Sequence, residues 1–458
     1  MNVTLFSLLL LLSTGASAET QPATHQTRVF CDQPIGCIKP MLAGASLGGN
    51  ALSYQKPEAV AAARDVGIRF VRLEGVTGAY DLYDPNTGRY DWTRLDREIE
   101  NIQSTGAEII ADIMYTPKWL SRESSGEWYY AEPADYQKWA EYVAEIVRHV
   151  NHERKYGIKY WEVWNEPSGG YFFSAWHQGR ERFWRLYEVT ARAIKEADPT
   201  ALVGGFGDNM DYPEEFKAFF EFGKQNGVPI DLVTVHWYAE WWPGDGPERP
   251  DLYYHLSRQI EALYRSYFEK TPPIFLTEWN LNAEHPIGTP VQQAAFVGSA
   301  YFWLQESPVL GAGFFRLEDY KGMGRAMLDG QFGLRPAGRV VKMFASLPSQ
   351  RLSVCDMPSG MVMLAGRDED RIAVMASRYE LRESAGPIRQ QIVLKNPGRK
   401  GECQVTIYVE DAGTADASGD LKPLSRTTIT IDGDDLALPA VDLERYAVAL
   451  VVVEFAKR

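Results

Sequence analysis

The sequence predicts an α/β fold in which a (β/α)8 TIM barrel precedes an antiparallel β-sandwich. At 458 residues the chain is too long for most single domains other than an α/β barrel. From residue 41 to residue 347, strand-like runs alternate with longer helix-like segments, as such a barrel requires. Beyond Leu347-Pro348 the runs become short and β-rich, with Gly, Asp and Pro turns between them, which is typical of a sandwich. We therefore expect a catalytic barrel at 41–347 and an accessory sandwich domain at 348–458.

Eight apolar runs rich in β-branched residues are the predicted barrel strands. They are Met41–Leu47, Ile68–Glu74, Glu108–Met114, Lys159–Trp164, Ala201–Gly205, Leu232–His236, Ile274–Thr277 and Gly313–Leu317. The segments between them are amphipathic, and Tyr136–Val150 carries apolar residues at helical spacing. An open doubly wound sheet is the alternative fold, but no glycine-rich phosphate fingerprint follows the first strand.

The predicted sandwich is built from further short runs. They are Met361–Leu364, Arg371–Ala376, Gln391–Leu394, Cys403–Val409, Thr427–Ile431 and Tyr446–Val453. The N-terminal segment at 19–40 contains Thr27–Lys39, which is too short to stand alone. It is a candidate for an added strand of the sandwich.

Residues 1–18 have the pattern of a secretory signal peptide, with apolar Leu5–Leu12 followed by Ala16-Ser17-Ala18. We therefore expect a secreted or periplasmic protein. This apolar stretch is too short to span a bilayer and no later segment is long enough, so no membrane span is expected.

Four cysteines in an exported chain can pair in three ways. Cys31 and Cys37 flank a turn-like loop, and their pairing would leave Cys355 and Cys403 to join within the C-terminal region. We predict this connectivity because an exported chain meets an oxidising compartment. The alternative is four free, buried thiols.

Composition excludes some function classes. A formal net charge of -14, with no basic stripe, argues against a nucleic-acid partner. The seven histidines are scattered and no His, Cys and carboxylate set has metal-ligand spacing, so neither a metal nor another cofactor is expected. Aromatic residues are abundant, and several lie beside the motifs described next, where aromatic faces can stack on sugar rings.

Two glutamates carry the functional prediction. Glu166 follows the fourth predicted strand and Glu278 follows the seventh, and each stands next to a Trp and an Asn. Catalytic groups of a (β/α)8 barrel lie at the carboxyl ends of its strands. A pair of carboxyl groups is what glycosidic bond cleavage requires, because one must donate a proton while the other attacks the anomeric carbon.

The neighbouring residues fit the same chemistry. Asn165 is suited to hydrogen-bond the sugar 2-hydroxyl. His236 and Tyr238 alternate on one strand and would point to the same face, where they can orient a carboxylate. Arg72 either holds a carboxylate ionised or forms an ion pair inside the barrel. On this argument Glu278 should stay ionised as the nucleophile. Burial and the charge of Glu278 should raise the pKa of Glu166, giving a mildly acidic optimum.

In these residues the chain resembles the retaining glycoside hydrolases of clan A, and most of all glycoside hydrolase family 39, the group of β-xylosidases and α-L-iduronidase. The motifs that carry the resemblance are Trp164–Pro167, His236–Tyr238 and Thr277–Asn280. The resemblance implies that Glu166 is the acid/base and that Glu278 is the nucleophile. Trp279, next to Glu278 in the same motif, is assigned to substrate binding.

The chain departs from the family pattern where the xylosidases contact the non-reducing sugar. Leu47-Gly48-Gly49-Asn50 stands where those enzymes carry a His. The eighth strand ends in Phe314-Phe315-Arg316-Leu317-Glu318-Asp319, where a Trp is usual. Xylose is therefore not implied as the substrate, and Arg316 is assigned to substrate binding. The residues Arg316, Lys321 and Arg325 are solvent-facing cations or a grip for a uronate carboxylate.

The sequence thus predicts an exported retaining glycoside hydrolase that cleaves O-glycosidic bonds of oligosaccharides or polysaccharides by double displacement. An enzyme specific for glycans that contain uronic acid or arabinose is an alternative within the same class. A barrel that binds carbohydrate without turnover is the alternative of another class.

Overall fold

The computed structural model describes residues 24–48, 53–240, 249–282, 289–319, 322, 324–414 and 418–456. The predicted signal peptide at 1–18, the residues Gly49 and Asn50, and Lys321 lie outside the described residues. No helix in the part of the chain that the structure describes is long and apolar enough to cross a membrane.

The first strand and the barrel strands lie in the first two-thirds of the chain. In chain order the strands there are β1 (Thr24–Cys37), β2 (Gly44–Ser46), β3 (Phe70–Leu73), β4 (Tyr83–Asp84), β5 (Arg89–Tyr90), β6 (Glu108–Ile113), β7 (Tyr160–Val163), β8 (Leu202–Asn209), β9 (Leu232–Glu240), β10 (Ile274–Asn282) and β11 (Val309–Phe315). Eight of them close a parallel barrel in the order β10-β11-β2-β3-β6-β7-β8-β9, and β4 pairs with β5 in a small hairpin. The predicted fold class is confirmed.

Helices surround the barrel. They are α1 (Pro57–Val66), α2 (Thr93–Ser104), α3 (Tyr136–Arg148), α4 (Glu181–Ala197), α5 (Pro213–Asn226), α6 (Leu252–Phe268), α7 (Pro290–Glu306) and α8 (Pro336–Ala345). Local sequence explains where several begin. Asp135 caps α3 by accepting from Gln137 N and Lys138 N, and α1, α5, α7 and α8 each start with a proline, whose missing N–H is not needed there.

The barrel interior is built in layers. The lower layer is apolar and consists of Phe70, Ile110, Tyr160, Leu232 and Phe275. Side chains that point inward recur every second residue along a strand, so the next layer begins two residues later. That layer is polar, and it contains the residues Arg72, Asp112, Glu162, Thr234 and Thr277, all fully buried.

The remaining strands form a ten-stranded sheet with β1. They are β12 (Gln350–Cys355), β13 (Met361–Arg367), β14 (Arg371–Tyr379), β15 (Ile388–Lys395), β16 (Gly401–Glu410), β17 (Pro423–Ile431), β18 (Asp435–Ala437), β19 (Val441–Leu443) and β20 (Tyr446–Phe455). The N-terminal strand β1 pairs antiparallel with β12 and parallel with β15. The sheet is therefore antiparallel except at this one pair.

Helix α7 joins the barrel to this sheet. Nearly every residue between Val291 and Ala300 is buried, because one side packs on the barrel and the other on β13, β14 and β20. Ser377 Oγ donates to Ala295 O at 2.9 Å, and a Cβ at Gly298 would lie 2.7 Å from Ser377 Oγ. A second link is the buried ion pair in which Arg339 of α8 donates to both carboxylate oxygens of Glu410 on β16, at 2.6 and 2.8 Å.

The predicted disulfides are absent, since all four cysteines are free. Cys31 is buried in the sandwich core whereas Cys37 is exposed, so the two side chains do not face each other. Cys355 on β12 and Cys403 on β16 are separated by the strands β13, β14 and β20. A disulfide needs Cα atoms within about 7 Å, and adjacent strands alone are already about 4.8 Å apart.

Candidate active site

Glu278 lies on β10 with its side chain directed into the barrel mouth. Its Oε1 accepts from Arg72 Nη1 at 2.6 Å, and its Oε2 accepts from the Tyr238 hydroxyl at 2.6 Å. Both oxygens are therefore held by strong donors, which favour an ionised carboxylate. Only 10% of the side chain is exposed.

Arg72 is the centre of a buried ion-pair network below Glu278. Its guanidinium donates to Glu162 at 2.6 Å, to Asp112 at 2.9 Å and to Asn165 Oδ1 at 3.0 Å, and Glu74 Oε1 lies 3.7 Å from Nη1. The two alternatives that the sequence left open for Arg72 both hold, because the same side chain forms internal ion pairs and contacts Glu278. The side chain has no exposed surface, so Arg72 acts on a substrate through Glu278.

Several carboxylates share this one cation, and their burial makes the ionised form of each less favourable. Burial raises the pKa of Asp112 well above its ordinary value. Burial also raises the pKa of Glu278 to about 7; the charge of Glu166 adds to this, while His236 and Arg72 oppose it. Burial thus works against the ionised state expected of Glu278, because the loss of solvation outweighs its two donors.

Glu166 follows β7 on a turn with unusual backbone geometry. Trp164 and Glu166 have φ values of 72° and 40°, a region that bulky residues rarely adopt and that is found mainly at functional sites. Glu166 N donates to Gly207 O at 3.1 Å, which fixes the turn against β8. The Glu166 side chain is 17% exposed, so it is more open to solvent than Glu278.

A chain of hydrogen bonds runs from Glu166 to the Arg72 network. Glu166 Oε1 lies 2.6 Å from His236 Nδ1, and His236 Nε2 lies 3.1 Å from Thr277 Oγ1. The Thr277 hydroxyl donates to Glu162 Oε1 at 2.9 Å, so its oxygen is an acceptor towards His236. Burial lowers the pKa of His236 to about 4, so the ring is neutral near pH 7.

This chain fixes the position of one proton. Because Thr277 uses its hydrogen on Glu162, the His236 proton resides on Nε2 and donates to Thr277 Oγ1. Nδ1 of the neutral ring is then an acceptor, and the group that faces it must be the donor. The arrangement therefore favours a protonated Glu166.

The two predicted catalytic carboxyl groups lie close together. One oxygen each from Glu166 and Glu278, and one ring nitrogen of His236, lie within 4.8 Å of one another. The same three groups have the spacing of metal ligands, but the hydrogen bonds above already involve all three. Retaining glycosidases have carboxyl groups roughly 5–5.5 Å apart and inverting ones roughly 6.5–9.5 Å apart. Carboxyl groups with one oxygen of each within 4.8 Å are close enough for the retaining geometry.

Of the other predicted site residues, Asn165 lies in the site and Trp279 lies outside it. Asn165 is buried beside Glu166, with its oxygen bound to Arg72. Trp279 is fully buried between the barrel and its helices, where it packs edge-on against Tyr253, Tyr301 and Phe314. This position gives no support to its predicted role in substrate binding. A register shift between Leu276 and Glu278 lets both Thr277 and Glu278 face inward, and Trp279 then turns outward.

Arg316 directly follows β11 and is only 9% exposed. Its guanidinium lies across Gly48 after β2, since a Cβ on that glycine would be 2.5 Å from Nη1. In the barrel, β11 stands between β10, which carries Glu278, and β2. Arg316 is thus a mostly buried cation on the Glu278 side of the site. Arg325, nine residues later in the chain, is also buried.

Sequence reasoning missed Glu162, Asp112 and Thr277. Their signal was present, because each is a polar residue two positions after an inward apolar residue of its strand. An isolated charge in an apolar strand has to be paired inside the barrel.

The family model for glycosyl hydrolases family 39 matches residues 49–320, more than half of the chain. The chain belongs to glycosyl hydrolases family 39. This confirms the resemblance inferred from the motifs. It is 26% identical over 264 residues to a β-xylosidase of Geobacillus stearothermophilus and 25% identical over 328 residues to one of Caldicellulosiruptor saccharolyticus. These matches cover 51% and 64% of both this chain and the respective relative.

Solved structures share the fold of this family 39 chain. A glucosidase from Croceicoccus marinus covers 95% of this chain and all of its own, at TM-score 0.79 and 20% identity. A monomeric β-xylosidase from Caulobacter crescentus CB15 has the same coverage, at TM-score 0.78 and 17% identity. A bacterial orthologue of human α-L-iduronidase covers 95% of this chain and 84% of its own, at TM-score 0.74 and 13% identity.

Proposed function

We propose that the protein is an exported retaining glycoside hydrolase that cleaves O-glycosidic bonds by double displacement. The observation that carries the proposal is the pair of carboxyl groups within 4.8 Å, one held by Arg72 and Tyr238 and the other by neutral His236. Family membership supports the reaction class. Export rests on the apolar N-terminal stretch of the sequence and the cleavage pattern that follows it.

In the first step a Glu278 oxygen attacks the anomeric carbon while the bond from that carbon to the leaving oxygen breaks. Glu166 gives its proton to the leaving oxygen, so the leaving group departs as a neutral alcohol. The product is a glycosyl ester of Glu278. The donors Arg72 and Tyr238 keep the attacking carboxylate in one orientation, which lowers the entropic barrier to attack.

In the second step water attacks the same carbon from the side that the leaving group vacated. Glu166, now ionised, takes a proton from this water, and the bond to Glu278 breaks. Ester formation has removed the negative charge of Glu278, which favours the ionised form of Glu166 in this step. In this step a neutral His236 can hydrogen-bond to the ionised Glu166 only by donating from Nδ1, which requires the ring proton to have moved there from Nε2.

Asn165 supports the transition state from below the sugar. Its oxygen is bound to Arg72, so the amide orientation directs a donor Nδ2 at the substrate. A donor that holds the sugar 2-hydroxyl oxygen orients the hydroxyl hydrogen, which becomes more acidic and forms stronger hydrogen bonds as positive charge develops at the neighbouring anomeric carbon.

A panel of aryl glycosides tests this function. It should contain D-xylosides, L-arabinosides, D-glucosides, L-rhamnosides, D-glucuronides and L-iduronides in both anomeric forms. We expect hydrolysis of at least one, with the product released in the configuration of the substrate when followed by proton NMR. An inverted product would overturn the role of Glu278. Specific glycan binding without turnover on the whole panel would favour a non-catalytic carbohydrate-binding barrel.

A uronate-specific glycosidase is a second candidate, favoured by the position of Arg316. A mostly buried guanidinium on the Glu278 side suits a carboxylate on the sugar that becomes covalently attached. For this candidate, Arg316→Gln should lower kcat/KM on the uronides by roughly 10- to 100-fold, the worth of a charged hydrogen bond. If the unmodified protein hydrolyses only neutral glycosides, this second candidate is contradicted. The sugar of the substrate would then be one of the neutral sugars of the panel.

A further inference from the structure

Two exposed aromatic side chains stand on the loops beside Glu166. Among the described residues of a chain with 13 Trp, 24 Tyr and 20 Phe, only Tyr171 and Tyr212 are exposed aromatics, at 80% and 50%. All other described aromatic rings are buried or half-buried. Aromatic surface left in water is available to a ligand that can cover it.

The two loops are joined at Glu166 itself. Glu166 N donates to Gly207 O at 3.1 Å, and Ser168 N donates to Asp208 Oδ2 at 3.2 Å. Tyr171 lies shortly after Ser168, and Tyr212 lies shortly after Asp208. Both tyrosines therefore project from the side of the site that carries Glu166, opposite the side that carries Arg316.

The exposure of Tyr171 is fixed by its neighbours. Trp164 Nε1 donates to Phe172 O at 2.7 Å, and the fully buried Phe173 packs edge-on against Trp164 with ring centroids 5.7 Å apart. A Cβ on Gly169 would lie 3.6 Å from the Tyr171 ring, so the ring rests against this glycine. An anchored backbone thus holds one aromatic face towards solvent.

The surroundings of Tyr212 are acidic. Burial raises the pKa of its hydroxyl, and the charges of Asp211, Asp208 and Glu166 raise it further. Burial also raises the pKa of Asp208 to about 7. Whenever Asp208 or Glu166 is ionised, a ligand with its own carboxylate would be repelled here, whereas an uncharged ring would be accepted in either protonation state.

A general acid must touch the oxygen of the group that leaves, so the leaving group lies against the loops that carry Glu166. We propose that Tyr171 and Tyr212 form the binding site for the leaving-group sugar, an uncharged pyranose ring of an oligosaccharide or polysaccharide. This inference rests on the proposed function. The natural substrate then continues beyond the cleaved bond, and its first ring past that bond stacks on these tyrosines.

A comparison of two substrates of one sugar tests the site. A glycosyl fluoride places no ring in the leaving-group position, whereas the corresponding trisaccharide does. The sugar is the one released in the glycoside panel, beginning with D-xylose. For Tyr171→Ala and for Tyr212→Ala, we expect the ratio of kcat/KM on the trisaccharide to that on the fluoride to fall about threefold to tenfold, the worth of one aromatic stacking contact. The double variant should lower this ratio further.

The controls separate stacking from structure. Tyr171→Phe and Tyr212→Phe keep the ring and should keep the ratio. Leu424→Ala removes another exposed apolar side chain, 68% exposed on the sandwich, and should also keep it. An unchanged ratio in the alanine variants, or an equal loss on both substrates, would overturn the site. A protein that hydrolyses neither substrate before mutation would instead overturn the proposed function, and this inference with it.

Discussion

Glu278 and Glu166 lie within 4.8 Å of each other, yet the protein surrounds them differently. Glu278 is nearly buried and accepts from a guanidinium and a phenol, below which lie further ion pairs. Glu166 is more exposed, stands on a turn, and contacts the neutral His236. The difference suits two tasks. A nucleophile profits from fixed donors that orient it, whereas an acid/base must exchange protons with solvent and with a leaving group.

The largest effect is expected from Glu278→Ala, because the covalent intermediate cannot form without the attacking carboxylate. Activity on the best substrate of the panel should fall by roughly four orders of magnitude or more. Glu221→Ala, on an exposed face of α5, serves as the control and should keep full activity. If Glu278→Ala kept as much activity as Glu221→Ala, Glu278 would not be the nucleophile, and the two carboxyl groups would not have the different tasks described above.

A smaller effect is expected from Glu166→Ala, because a substrate with a good leaving group needs no proton in the first step. Hydrolysis should then stop at the glycosyl-enzyme and fall by roughly 10²- to 10⁴-fold. Added azide should restore turnover and yield a glycosyl azide of retained configuration, since it needs no general base. A lack of azide rescue would argue that Glu166 is not the acid/base.

The acidic limb of the pH profile should report Glu278. Because burial raises its pKa to about 7, kcat/KM should fall about tenfold per pH unit as the pH drops below that value. The optimum is then nearer neutrality than the mildly acidic one expected from sequence. Tyr238→Phe removes a donor to the ionised form and should move this limb to higher pH. A limb that moves the other way would contradict the assignment. The limb is a macroscopic property of the coupled pair Glu166 and Glu278, so the shift is read by comparing the variant with the unmodified protein.

Thr277→Val should act on Glu166 through His236. Without the acceptor Oγ1, the His236 proton can move to Nδ1 and donate to Glu166, which favours the ionised acid. The basic limb should shift to lower pH, and kcat/KM for poor leaving groups should fall about tenfold, with less loss for good ones. Thr277→Ser keeps the hydroxyl and should restore both. A uniform loss on all substrates with an unmoved limb would indicate a packing role only.

The smallest effect concerns folding. Asp208 is buried and its pKa is raised to about 7, so the folded state holds a proton that the unfolded state releases above its ordinary value near 3.8. Stability from this group is present below that value and is lost as the pH rises through about 7. Glu278 acts in the same direction, while His236 opposes it only below about pH 6.5. The melting temperature should therefore fall between pH 6 and pH 8, and less so in Asp208→Asn.

The fold class was predictable because strand and helix periods alternate regularly through the barrel, and the sandwich strands are short and turn-bounded. Boundaries were less predictable. The predicted first strand at Met41–Leu47 shrinks to Gly44–Ser46, since Pro40–Leu42 forms a 3-10 turn. The strands that carry site residues extend further than predicted, as in Ile274–Asn282, because their tips are polar and carry no apolar signal.

The site was predictable where a motif and strand alternation agreed. His236 and Tyr238 were expected on one face, and they do reach Glu166 and Glu278 respectively. The Arg72 network was beyond such reasoning, because the stagger between strands decides which inward residues meet. The disulfide prediction was wrong for a related reason. Spacing along the chain does not tell which face of which strand a cysteine occupies.

Helix α7 gives the molecule a property that a list of its domains would hide. A helix that is apolar on every side has no face that tolerates water, so it belongs equally to barrel and sheet. A protein truncated after residue 347 would expose to solvent the apolar surface of α7 that packs on β13, β14 and β20. This helix directly follows β10, the strand that carries Glu278. An engineer who wished to exchange the β-sheet portion would have to redesign the outer surface of α7 first, as one does when separating the subunits of an obligate dimer.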